Sequence, residues 1–139
     1  MAASSTMCSG SSLHRLIWSA SLALALAACS PPVDPDKVQS VEAAQLSGEL
    51  GGGKIRLIDV RSDEEVAEGM IPGAEHIPID RFDPAMLDLS DGREVVFYCH
   101  SGRRSARAAE RLSDFTGRKE RHLDGGIEAW QAAGLPVTR

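Results

Sequence analysis

Apolar positions along the chain switch between two rhythms, and glycine or proline punctuates each switch. After Gly51-Gly52-Gly53, the run Ile55-Arg56-Leu57-Ile58-Asp59-Val60 is rich in branched apolar residues and reads as a strand. Glu94 to Cys99 has the unbroken apolar centre of a parallel strand covered on both faces. Glu120 to Leu123 offers a last strand, and His76 to Pro78 a short one that proline restricts to an end or edge. From Ser105 to Phe115 the rhythm is helical: Ala106, Ala109 and Leu112 share one face, with Arg107, Glu110 and Arg111 available for the wet side.

Further helices are marked by their ends. Ser40 is placed to cap a short helix through Leu46. Ser62 and Glu65 have the spacing of a capping box, in which hydroxyl and carboxylate each satisfy a free amide of the first turn, and Gly69 is placed to end that helix. Asp83-Pro84 starts a short helix to Leu87, and Ile127 to Ala133 forms a final one ended by Gly134 and Pro136. Strands alternating with helices predict an α/β domain over residues 38–139, with a central parallel sheet, helices on both faces and right-handed crossovers. About a hundred residues suffice for one buried core.

The first 28 residues follow neither rhythm. Arg15 is the only formal charge there, and it precedes the apolar run Leu16 to Ala28. Thirteen residues fall short of the roughly 20 needed to span a bilayer. Residues 1–28 therefore read as a signal peptide. The ending Leu26-Ala27-Ala28-Cys29 resembles the lipobox of bacterial lipoproteins, in which the chain is cut before the cysteine and lipid is attached to its sulfur. That resemblance implies a lipidated Cys29, a proline-rich tether over 29–37, and an exported protein anchored in the cell envelope. Ser30 after the lipid-bearing cysteine is similar to proteins sorted to the periplasmic face of the outer membrane. A plain cleaved signal, with Cys29 an ordinary small residue, is the alternative.

Composition then narrows the chemistry. With 42% hydrophobic and 25% charged residues the chain has a globular balance. Its 15 basic and 20 acidic residues give −5, and losing residues 1–28 leaves 14 against 20, or −6. No nucleic-acid partner is expected of so acidic a chain. Cys8, Cys29 and Cys99 are too scattered for a disulfide framework or a four-ligand zinc site, and His14, His76, His100 and His122 lie far apart, so neither a metal nor a cofactor is expected. With Cys8 removed and Cys29 lipidated, Cys99 is the one free thiol. In an oxidising compartment an unused thiol is a liability; a buried, inert cysteine is the plain alternative.

Cys99 also stands where an α/β sheet places its ligands, beyond the carboxyl end of a strand, as do Asp59 to Arg61 and Asp124. From it runs Cys99-His100-Ser101-Gly102-Arg103-Arg104-Ser105, a strand end entering a helix start. A tight turn of this kind aims successive amides inward as an anion cradle, and the helix terminus adds partial positive charge. Holding half of a thiol with an ordinary pKa of about 8.5 ionised at pH 7 takes about 2 kcal/mol. A helix terminus contributes roughly 0.3–1 kcal/mol and rarely about 2, so loop amides and Arg103 and Arg104 are needed as well. Arg107 and Arg111 read as a solvated helix face, and His100 as loop geometry rather than a general base. Cysteine-dependent phosphatases use Cys-x5-Arg; here the sixth residue after Cys99 is Ser105 and the arginine comes one position early, which leaves a cradle small for phosphate and suited to one sulfur atom.

Four segments in order carry a resemblance to the single-domain rhodaneses, a sulfurtransferase family. They are Leu57-Ile58-Asp59-Val60-Arg61 with Glu64 and Glu65 after it, Gly69-Met70-Ile71-Pro72-Gly73-Ala74, Val96-Phe97-Tyr98-Cys99 with its loop, and Asp124-Gly125-Gly126-Ile127-Glu128-Ala129-Trp130 through Val137. Met70 departs from the histidine common at that position. The resemblance implies a three-layer fold around about five parallel strands. It implies that Cys99 takes the outer sulfur of a small anionic donor such as thiosulfate, becomes a persulfide, and yields that sulfur to cyanide or a thiol, with no cofactor. The amides of His100, Ser101, Gly102, Arg103 and Arg104 would hold the sulfur, and Arg103 or Arg104 the sulfonate oxygens. Asp59, Arg61 and Ser105 would support the loop, Asp59 by pairing with a loop arginine; for Asp59 and Arg61 a purely structural ion pair is the other reading. Gly125, Gly126 and Trp130 look structural. A persulfide carrier or sulfur-binding module on the same fold is the alternative function.

Overall fold

A computed structural model describes residues 32–139. Signal peptide, Cys8 and Cys29 lie outside the described residues, as does the start of the tether. Of the tether, Asp34 to Lys37 form a turn: the Asp34 carboxylate accepts from the Asp36 amide at 2.9 Å, and its carbonyl accepts from the Lys37 and Val38 amides.

Five strands, β1 (Val38–Val41), β2 (Ile55–Asp59), β3 (Glu75–His76), β4 (Glu94–Tyr98) and β5 (Glu120–Leu123), make one parallel sheet in the order β1-β5-β4-β2-β3. Four α-helices, α1 (Ala43–Leu50), α2 (Asp63–Ala67), α3 (Arg103–Thr116) and α4 (Gly126–Ala132), and a 3₁₀ turn at Pro84–Met86 connect them. The alternation along β4 divides the core. Val95 and Phe97 join Ala108, Ala109 and Leu112 of α3 with Phe82 and Leu87, whereas Val96 and Tyr98 join Ala43 and Leu46 of α1 and Ile127 and Trp130 of α4. Helices thus cover both faces, and the three-layer α/β expectation holds. Trp130 is buried and donates its indole N–H to the Pro136 carbonyl at 2.8 Å. Truncating so large a core side chain to alanine costs about 3–5 kcal/mol.

Local signals misplace a few boundaries. Ser40 caps no helix: it lies in β1, paired in register with His122 of β5, and α1 begins after Glu42 without a side-chain cap. Only four residues long, β1 carries no period that the eye can separate from a loop; its strand conformation comes from pairing with β5. The Ser62–Glu65 capping box forms as expected, although α2 stops at Ala67 and Gly69 follows it with φ +138°. Helix α3 starts at Arg103, two residues earlier than its apolar rhythm, so Arg103 and Arg104 occupy its first turn.

Met70 exchanges two backbone hydrogen bonds of 2.8 Å with Thr138, an isolated antiparallel bridge that ties the carboxyl terminus to the segment after α2. The tie uses main-chain groups, so it does not depend on the side chain at 70.

Candidate active site

Strands β2 and β4 are neighbours with Asp59 opposite Tyr98, so their carboxyl ends bring Asp59–Arg61 and Cys99 to one rim of the sheet. Cys99 continues the apolar run of β4 and is almost fully buried, at 1% exposure. Gly102 closes the turn after it. Its φ of +92° is a left-handed conformation open to glycine at little cost, and an added Cβ would lie 3.1 Å from the Gly125 amide. In that conformation the Gly102 N–H donates to the Cys99 sulfur at 3.2 Å. Of the five amides His100 to Arg104, this is the one that reaches the sulfur. The Gly102 carbonyl points into α3, accepting from the Ala106 amide at 3.0 Å and the Ser105 hydroxyl at 2.9 Å. Ser105 thus bonds the loop backbone from a buried position.

The turn between β5 and α4 holds the loop from the other side. Ile127 N–H donates to the Cys99 carbonyl at 2.8 Å and Glu128 N–H to that of His100 at 3.2 Å. Gly126 sits against those two carbonyls with φ +59°, where a side chain would overlap both. This is the physical reason for Gly126, whereas a side chain at Gly125, with φ +65°, would meet the Ala129 Cβ at 2.7 Å. His100 is exposed and turns its ring outward, Nε2 lying 3.3 Å from Glu128. Ser101 is exposed as well.

The arginines divide. Arg103 is exposed and has no ion pair among the described residues. Arg104 donates from both terminal nitrogens to the Glu65 carboxylate, at 2.7 and 2.6 Å. Glu65 holds the charge on Arg104 more firmly, and the Cys99 sulfur adds to that in smaller measure. In return the bidentate Arg104, helped by the Ser62 amide, pulls the Glu65 carboxyl down from 4.5 to about 2. One carboxylate thus caps α2 and anchors the first turn of α3. Sequence spacing showed Glu65 as a cap; nothing in it pointed to a partner 39 positions on.

Asp59 does not pair with a loop arginine. Its carboxylate takes four contacts from Arg61, the amide at 2.9 Å and the guanidinium at 2.7–3.0 Å. Both residues are buried, and Arg61 spends its remaining donors on the Glu65 and Gly69 carbonyls at 3.1 and 2.6 Å. Two residues apart at one strand end, Asp59 and Arg61 form a local clamp that lies below the loop. The guanidinium also stacks 5.7 Å from the centre of the Tyr98 ring. Burial, with Asp59 beside it, pushes the Tyr98 hydroxyl well above its usual value, and the oxygen accepts from the Ile71 amide at 3.1 Å.

Chemically, the arrangement is a thiol at the amino end of a 14-residue helix, with one amide aimed at its sulfur and the Arg104 guanidinium carried on the first turn of that helix. Comparison with known proteins agrees with the fold and adds an activity class. Residues 42–133 match the rhodanese-like domain family. A sulfurtransferase of Allochromatium vinosum is 36% identical over 101 residues, 72% of this chain and 94% of that protein. The human thiosulfate:glutathione sulfurtransferase is 32% identical over 66% of this chain and 91% of its own length. Among solved structures, a rhodanese-related protein of Thermoplasma volcanium superposes with a TM-score of 0.63 at 31% identity, covering 72% of this chain and 97% of that one. The chain belongs to the rhodanese-like family, whose members similar to it include sulfurtransferases.

Proposed function

We propose that the protein transfers sulfane sulfur through a persulfide on Cys99. The Cys99 thiolate attacks the outer sulfur of a small anionic donor such as thiosulfate. A new S–S bond forms, the donor's S–S bond breaks, and sulfite leaves with the electron pair. Cyanide or a thiolate then attacks the terminal sulfur of the persulfide, and the Cys99 thiolate departs with its electrons. The observation that carries this reading is the Gly102 N–H on the Cys99 sulfur at the start of α3, because a donor aimed there stabilises the negative charge that this sulfur carries when it attacks the donor and again when it departs from the persulfide. Arg104, spent on Glu65, supplies field rather than a free hand for the sulfonate; exposed Arg103 is the guanidinium open to the donor.

Intact mass spectrometry tests the reading. Protein mixed with thiosulfate gains one sulfur atom, cyanide removes it, and Cys99→Ser does neither. A folded protein whose mass is unchanged by thiosulfate refutes this donor chemistry. A persulfide that forms but discharges only slowly to cyanide or thiols identifies a carrier.

For location, we propose that residues 1–28 are removed, that Cys29 is lipidated, and that the protein is held in the cell envelope on the periplasmic face of the outer membrane. The Leu26-Ala27-Ala28-Cys29-Ser30 sequence supports this.

A further inference from the structure

Behind the loop, on the sheet face covered by α3, lies a histidine that the sulfur chemistry leaves unused. His122 of β5 is buried in register between Ser40 of β1 and Phe97 of β4. Both ring nitrogens have partners: Nε2 is 3.0 Å from the Ser40 hydroxyl and Nδ1 is 3.3 Å from the Ser105 hydroxyl. Ser105 lies 2.9 Å from the Gly102 carbonyl, which can only accept. The single Ser105 proton therefore goes to Gly102. Nδ1 must then donate to Ser105, and Nε2 of a neutral ring must accept from Ser40. Burial lowers the His122 pKa, only partly opposed by the Asp124 charge, which agrees with a neutral ring.

The result is a chain with one direction: Ser40 to His122 to Ser105 to the Gly102 carbonyl. It ends on the residue whose own N–H meets the Cys99 sulfur. An apolar side chain at this buried position, in register with Phe97, would avoid desolvating two nitrogens.

We propose that His122 is a positioning residue for sulfur transfer: through Ser105 it holds the Gly102 carbonyl, and with it the left-handed Gly102 backbone whose N–H, in the peptide on the other side of the same Cα, is aimed at Cys99. The proposal rests on the persulfide reading for its role in turnover, but the geometry it invokes exists without a donor.

Two assays separate the two claims. The rate at which iodoacetamide alkylates Cys99 reports the sulfur's environment with no sulfur donor present, and thiosulfate turnover reports the reaction. His122→Phe and Ser105→Ala each slow alkylation about five- to tenfold, the worth of one hydrogen bond. In turnover they lower kcat while KM for thiosulfate stays near that of the unaltered protein. The double variant is no slower than either single one, because both remove the same restraint. His122→Asn, whose amide nitrogen stands near the place of Nδ1, restores most of the rate.

His122→Phe or Ser105→Ala, folded and alkylated at the unaltered rate, overturns the proposal. So does His122→Asn behaving like His122→Phe. If His122→Phe fails to fold, His122→Leu takes its place in the alkylation comparison. Unaltered protein that takes no sulfur from thiosulfate refutes the donor chemistry and leaves the alkylation comparison standing.

Discussion

Replacing Gly126 by alanine tests how tightly the β5–α4 turn holds the cysteine loop. The backbone at 126 has φ +59°, which costs an L-residue roughly 1–2 kcal/mol by itself. The new Cβ would also lie 2.5 Å from the His100 carbonyl oxygen and overlap that of Cys99. Reaching an ordinary 3.4 Å contact requires a movement of 3.4 minus 2.5, or 0.9 Å. Neither obstacle is a flexible side chain end; both are loop backbone held by the Ile127 and Glu128 amides. Forcing such a shift in a packed site adds roughly 1–3 kcal/mol, for a total of about 2–5 kcal/mol. Gly134 supplies the comparison, since its φ is +70° and an added Cβ meets nothing within 4 Å. Gly134→Ala therefore shows the conformational cost alone. Urea unfolding of both variants, at equal m-values, should separate them by about 1–3 kcal/mol. Sulfur uptake by Gly126→Ala should fall by up to about a hundredfold, because a displacement near 1 Å at a reacting group has that effect. If the two variants unfold alike and both load sulfur at the unaltered rate, the turn does not hold the loop and the reasoning fails.

Removing Asp59 as alanine leaves the Arg61 charge buried without its carboxylate, so unfolding free energy drops by about 3–5 kcal/mol. Asp59→Leu combined with Arg61→Met loses less than the single Asp59→Ala, and denaturant titration of both measures the difference. Glu65 has its folded pKa lowered, so the stability of its pair with Arg104 is complete above 4.5 and is lost as pH falls from there towards about 2. With the two side chains 28% and 31% exposed, solvent screening limits this to about 1 kcal/mol. Glu65→Gln removes that acid-dependent step, and a Glu65→Gln protein whose pH–stability curve matches the unaltered one refutes the assignment. Cys29→Ala abolishes precursor processing and membrane association in cells; fractionation that finds both unchanged disproves the lipoprotein reading.

Much of the molecule was legible from one dimension, and for identifiable reasons. β4 announces itself because a strand buried on both faces needs a continuous apolar run, and β2 does so through its branched apolar residues. The capping box at Ser62 and Glu65 is contained within four residues, so it needs no tertiary knowledge. The Cys99 loop at a strand end is a local feature too, and its place at the sheet's ligand edge follows from the alternation of elements. Strand β1 was missed because its conformation is imposed by pairing with β5, 82 positions away.

Partnerships among charges were the least legible. Any of several arginines could have met Asp59; the buried geometry at the end of β2 selected Arg61, two residues on, and left Arg104 for Glu65. Amino-acid order thus determined by itself which segments are strands or helices, where the thiol stands, and which family the chain resembles, since these depend on short-range patterns. Only the folded chain decided which amide meets the sulfur, which guanidinium is spent, and that a histidine from β5 stands behind the loop. The guanidinium and the histidine meet partners 39 and 17 positions away, the amide is selected by the left-handed turn at Gly102, and burial, by stripping away water, makes one partner count over the others.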